Sequence, residues 1–129
     1  MLSAKQIGEF RTLLERRYRQ LREEIRTILL ESDEEQFQKL AGEVHDMEEL
    51  SVADLLVDLN YAEIDHLLSE LREVEDALKR IREGTYGICI DTGEPIELER
   101  LKAYPTASRT TRAQAIYERT HAGEEHSSL

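Results

Sequence analysis

Apolar residues recur along the first thirty positions at helical coiled-coil spacing. Leu14, Tyr18, Leu21, Ile25 and Ile28 follow steps of four and three, a heptad seam that Ile7 and Phe10 extend backwards. Ser32 followed by Glu35 predicts a capping box that restarts or kinks the helix, and Phe37, Leu40 and Val44 carry an apolar stripe past it. Gly42 and the polar stretch to Glu49 predict the end of this helix, with a loop near 42–50. The next segment opens on Ser51 and Asp54 as a second capping box, with Leu50 placed as its staple. Ile64, Leu71 and Leu78 then repeat every seven residues, as do Leu67, Val74 and Ile81, until Gly84 stands where a C-terminal cap belongs. Residues 51–83 predict a helix of about 50 Å at 1.5 Å per residue. Neither stripe can be buried alone, and a short connection favours an antiparallel hairpin over pairing between chains.

From Gly84 the pattern changes. Thr85 to Ile90 alternates as a short strand, Asp91-Thr92-Gly93-Glu94 is a tight turn, and Pro95 to Leu98 predicts a returning strand. Ala113 to Arg119 predicts a closing helix capped by a Thr or Ser near 106–111, and the composition beyond His121 is that of a frayed tail. The expected organisation is a hairpin over 1–84 with its tip near 42–50, a small module over 85–112, a C-terminal helix over 113–122 and a disordered tail over 123–129. The fold class is mainly α.

Composition narrows the class. With 129 residues, 40% apolar, 5% aromatic, 35% charged and no Trp, the chain is too polar for a thick core yet too rich in Leu and Ile for disorder. Helices that bury narrow stripes satisfy both limits. The net charge of -11 is unevenly spread: residues 1–30 carry +3, residues 31–76 carry -14, and the rest is neutral. That acidic zone repels nucleic acid, which argues against direct sequence-specific DNA binding, and suits a basic surface or a divalent cation. No apolar run approaches the roughly 20 residues of a membrane span, so a cytoplasmic protein without a membrane role is expected. One cysteine, Cys89, excludes an internal disulfide framework.

Enzymatic constellations are missing. There is no glycine-rich phosphate loop, nucleophile elbow or H-E-x-x-H, and none of His45, His66, His121 and His126 is placed by the sequence to activate Cys89. No catalytic residue is assigned, and a non-enzyme is expected.

The string Tyr86-Gly87-Ile88-Cys89-Ile90-Asp91-Thr92-Gly93-Glu94-Pro95-Ile96, followed by Arg100-Leu101-Lys102-Ala103-Tyr104-Pro105, resembles the zinc-finger segment of the DksA/TraR family of bacterial RNA polymerase-binding transcription regulators. The family pattern is Y-G-x-C-x-x-C-G-x-x-I, then R-L-x-A-x-P, then a second C-x-x-C. The resemblance implies a long coiled-coil hairpin joined to a small zinc-finger-like module. Its four cysteine positions fall on Cys89, Thr92, Thr110 and Ala113, one thiol where a structural zinc needs four Cys/His ligands, so no zinc and no other cofactor is expected. In the family the hairpin enters the polymerase secondary channel and acidic tip residues act near the catalytic centre. Counting back from Cys89 places those acids on Asp46 and Glu49, and a lengthened tip brings in Glu48 and Asp54. Arg100 and Lys102 are the expected contacts with the channel rim. The residues that hold the nucleotide ppGpp in the best-known branch fall on Glu73, Tyr104 and Gln114, which implies a weak or absent response, with Lys102, Arg109 and Arg112 as partial substitutes. Two other readings remain: a transcript-cleavage factor that carries a similar acidic hairpin into the same channel, and a coiled-coil adaptor or thiol sensor based on Cys89.

Overall fold

A computed structural model describes residues 1–47 and 51–127. Among these residues the secondary structure is helical: α1 (Ala4–Glu31), α2 (Glu35–Asp46), α3 (Val52–Leu56), α4 (Ala62–Glu83), α5 (Leu98–Ala103) and α6 (Thr111–Ser127). None of these helices is long and apolar enough to cross a membrane.

The stem is the antiparallel pair α1 and α4. Ser3 starts α1 with a capping box, its hydroxyl accepting the Gln6 N–H while the Gln6 side chain accepts the Ser3 N–H. Leu14, Tyr18, Leu21, Ile25 and Leu29 bury one stripe of α1. The last position is Leu29 and not the heptad's Ile28, because a straight helix at 3.6 residues per turn drifts off a 3.5 repeat. From α4, Ile64, Leu71, Val74, Ala77, Leu78 and Ile81 pack against it, with Leu67 half-buried. Arg17 donates through Nη2 to Glu70 Oε1 at 2.8 Å and through Nε to the other oxygen, which pins the register of the two helices. Gly84 caps α4 at φ 77°, a left-handed conformation that only glycine adopts freely.

The expected second helix over 51–83 is broken. Residues 57–61 separate α3 from α4, and α2 ends at Asp46, inside the expected 42–50 loop. An earlier reversal lies at Ser32–Glu34, and α2 runs back along α1 with Phe37, Ala41 and Val44 buried. Arg22 Nη2 donates to the carbonyls of Val44 and Met47, which places the end of α2 beside the middle of α1. The expected capping boxes do not form. Ser32 closes α1 and its hydroxyl accepts the Glu34 N–H, while Ser51 makes no side-chain cap. Leu50 lies outside the described residues. Phe37 and Tyr61 pack as a tilted ring pair with centroids 4.8 Å apart, closing the distal end over α2 and the start of α4.

The two expected strands of the module reduce to one antiparallel bridge between Ile88 and Pro95. Leu98, expected in the returning strand, begins α5. The closing helix starts at Thr111, kinks at His121 and continues to Ser127, across part of the expected tail.

Candidate functional site

Backbone hydrogen bonds assemble the module around Cys89. Its N–H donates to Glu94 O at 2.8 Å, and its carbonyl accepts from Gly93 N–H at 2.9 Å. Ile96 N–H closes the turn onto Gly87 O at 2.8 Å, and Ile90 N–H reaches Ser108 O at 2.9 Å. Gly87 and Gly93 both have positive φ, 82° and 75°, so the turn depends on glycine at those two places. Tyr86 anchors the module to the stem: its hydroxyl donates to Pro105 O at 2.7 Å and its ring lies 5.6 Å from that of Phe10.

The four finger positions converge, with a different chemistry from metal ligation. Burial pushes the Cys89 thiol up, but the Thr92 hydroxyl and the backbone N–H groups of Thr110, Asp91 and Thr92 outweigh it and bring the thiol down to about 7. Thr92 Oγ1 also accepts the Glu94 N–H at 3.2 Å. Thr110 is buried, and its hydroxyl accepts the Ala113 N–H at 3.1 Å, capping α6. Ala113 contributes a buried methyl. A donor set of one thiol, two engaged hydroxyls and a methyl does not fit a tetrahedral zinc. Among the described residues no group of three His, Cys, Asp or Glu side chains could hold a metal ion.

Of the expected rim contacts, Arg100 is committed internally, donating Nε–H to Arg109 O at 2.8 Å. Lys102 is exposed, 3.6 Å from Glu99. Arg109 pairs with Asp91 at 2.7 Å and lies 3.8 Å above the Tyr117 ring, and Tyr117 in turn stacks on His121. Glu73, Tyr104 and Gln114 do come together, lining one cleft of about 330 Å³ with Arg100 and Arg109. Burial pushes the Glu73 carboxyl up, only partly offset by the Thr106 hydroxyl.

Of the acidic residues expected at the tip, the described ones, Asp46 and Asp54, lie away from the Ser32–Glu34 turn. Asp46 is exposed at the end of α2, level with Arg22, and Asp54 is exposed on α3 near Glu75. Glu48 and Glu49 lie outside the described residues. The distal turn carries Glu31, Asp33, Glu34 and Glu35 instead, all exposed. The sequence marked this turn at Ser32, where polar residues interrupt the seam. Sequence reasoning also missed Glu75, a buried carboxylate on α4 that accepts the Ala53 N–H at 3.2 Å and the Val52 N–H.

The prokaryotic dksA/traR C4-type zinc finger family matches residues 84–119, the module and most of α6. General stress protein 16O of Bacillus subtilis is 46% identical over 67 residues, 52% of this chain and 40% of that protein. The RNA polymerase-binding transcription factor DksA of Caulobacter vibrioides is 47% identical over 49 residues, 38% of this chain and 34% of that protein. The chain thus aligns with well under half the length of these two relatives. The solved structure of transcription factor DksA2 from Pseudomonas aeruginosa superposes with a TM-score of 0.63 at 27% identity, over 93% of this chain and 88% of that one. Finger framework, stem and module agree, and the chain belongs to the DksA/TraR family.

Proposed function

We propose that this protein is a transcription regulator that binds RNA polymerase, entering through the secondary channel with its acidic distal half first. The observation that carries this reading is the joint arrangement of stem and module, which matches the DksA2 structure along nearly the whole chain. The net charge of -14 over residues 31–76 suits a channel that is basic and rich in metal ions. The protein supplies no catalytic group, and its acidic residues act on the polymerase. In the folded-back arrangement the leading acids are Asp33 and Glu34, with Asp46 and Asp54 behind them. Lys102 is left to meet the channel rim, while Arg100 shapes the module from within.

The protein works without zinc. Cys89, Thr92, Thr110 and Ala113 hold the finger framework through hydrogen bonds and packing. Response to ppGpp is weak, because the cleft offers the anion a carboxylate at Glu73 and neutral groups at Tyr104 and Gln114, with Arg109 already paired to Asp91. The test is capture of core RNA polymerase by the purified protein, followed by transcription from a ribosomal RNA promoter. Altered promoter output without shortening of transcripts in backtracked complexes supports the reading; shortened transcripts make it a cleavage factor; failure to bind core polymerase overturns it. Asp33→Asn and Asp46→Asn, compared for output at equal binding, identify which acid leads.

A further inference from the structure

The α1–α4 pair has a groove on each side. One side carries the Arg17–Glu70 pair and runs on to Pro105 of the module. On the other, Tyr18 and Arg22 stand one turn apart on α1, as do Glu75 and Leu78 on α4. Arg22 donates to the last carbonyls of α2 at Val44 and Met47, and Glu75 accepts the first N–H groups of α3 at Val52 and Ala53. The facing ends of α2 and α3 therefore meet the stem on this side, beside Tyr18, whose ring carries the Arg22 guanidinium 5.4 Å from its centroid. Towards the base the same side opens as a cleft of about 440 Å³ with Tyr18, Leu78 and Ile81 as its floor.

The rim of that cleft is cationic. Arg11 and Arg19 stand on α1 and Arg82 on α4, all three exposed, with Glu15 as the one carboxylate among the lining residues. Among the described residues none of these three arginines makes a hydrogen bond or an ion pair. Guanidiniums gathered on one cleft repel one another and gain most from an anion that spans them. The floor residues Tyr18, Leu78 and Ile81 are only 5%, 3% and 8% exposed, so they add little apolar surface and recognition rests on charge. Arg11 and Arg19 are two helical turns apart, about 12 Å along the axis.

We propose that this cleft is a docking site for an acidic helix of a partner protein, one that presents carboxylates two turns apart to Arg11 and Arg19 and a third to Arg82. Charge selects that occupant and its place. Residues 1–30 carry +3 and residues 31–76 carry -14, so an acidic helix is drawn to the base of the stem and repelled from the distal half. The neighbouring packing agrees, because α2 is itself an acidic helix seated on the next stretch of α1 with Arg22 at its C-terminal end. A second copy of this chain is a poorer occupant, since two molecules of net charge -11 repel each other. The proposal rests on this cleft alone and is independent of the polymerase reading.

The test is fluorescence anisotropy of an alanine-rich helical peptide, hydrocarbon-stapled, with glutamates two turns apart, titrated with the full chain. A twin peptide carries lysine in place of each glutamate. The wild type should bind the glutamate peptide and not its twin, and more weakly as salt is raised. Arg11→Gln/Arg19→Gln/Arg82→Gln should weaken binding roughly tenfold, the combined effect of three exposed ion pairs, with the thermal melt unchanged. Arg11→Glu/Arg19→Glu/Arg82→Glu should take the lysine peptide instead. Amide shifts on binding should fall around positions 11–19 and 78–82. No binding, equal affinity in the glutamine variant, or shifts confined to the opposite side at Glu70 and Glu73 would overturn the proposal. Displacement of the peptide by inorganic phosphate at matched ionic strength would overturn it in favour of a small-anion site. Sedimentation of the wild type as a dimer that the glutamine variant abolishes would overturn it in favour of a second copy. No polymerase is present in these measurements, so a failure to bind polymerase counts only against the reading above.

Discussion

The two ends of the stem are stabilised in different ways. At the base, long-range backbone hydrogen bonds, two positive-φ glycines and the Tyr86 anchor fix one small loop structure against α1 and α4. At the distal end, two helices of twelve and five residues lie on the stem through one apolar stripe each and two charged side chains. Helices that short have little stability of their own. The base has one arrangement open to it because its turns need glycine at 87 and 93. The distal half has no such glycine-dependent turn to fix it.

Equal deletions at the two ends should therefore cost different amounts. Leu101 and Leu56 are both fully buried. Leu101→Ala should lose about 3 kcal/mol of global stability, the usual range for a leucine truncated in a packed core. Leu56→Ala should lose less in urea unfolding, because α3 detaches locally while stem and module persist. Hydrogen exchange should show its added opening confined to residues 35–61. Equal global losses, with exchange spread over the whole chain, would break the contrast.

A smaller effect separates the base from an ordinary apolar core. The folded Cys89 thiol is brought down to about 7 from its ordinary 9. A lowered pKa adds stability that is fully present above the unfolded value and is lost as pH falls through the folded one. Stability should thus rise between pH 7 and pH 9, by up to about 2 kcal/mol at 1.36 kcal/mol per unit. Cys89→Ser should flatten that rise while costing little at pH 7. Thermal melts of both proteins across this interval decide it, and identical slopes would show that the thiol stays protonated.

The same contrast governs what the sequence disclosed. The stem seam, the Gly84 cap, the Thr cap of α6 and the finger framework were all legible, because each depends on local spacing or on a residue type with a single conformational use. The distal end was not. The apolar steps at Val57, Ile64, Leu71 and Leu78 read as one helix from 51 to 83, and the break at 57–61 follows from tertiary contacts that periodicity does not encode. Glu75 and Arg22 sit among heptad residues as ordinary charged positions, and only the returning helices give them partners. Asp46 and Asp54 therefore lie beside Arg22 and Glu75 and not at the Ser32–Glu34 turn, since counting from Cys89 assumes an unbroken hairpin. The strand expected at Pro95–Leu98 failed more locally, at Leu98, which starts α5.

The smallest expected effect is zero, and it bears most directly on how the base is held. A chelator should leave the melting temperature unchanged, and metal analysis of the purified protein should find far less than one zinc per chain. Structural zinc sites contribute on the order of 10 kcal/mol to folding, so a resident ion would betray itself by collapse of the module on chelation. Here each finger position is already engaged: Cys89 accepts from Thr92 and three backbone N–H groups, and Thr110 caps α6. Thr92→Cys alone should also bind no zinc tightly, since two thiols still leave a hydroxyl and a methyl opposite them. Near-stoichiometric zinc in the wild type, with a melt that falls on chelation, would mean that ligands are recruited from outside the finger positions. The base would then be the metal-dependent end of the molecule, and its single arrangement would owe less to glycines and hydrogen bonds than the geometry indicates.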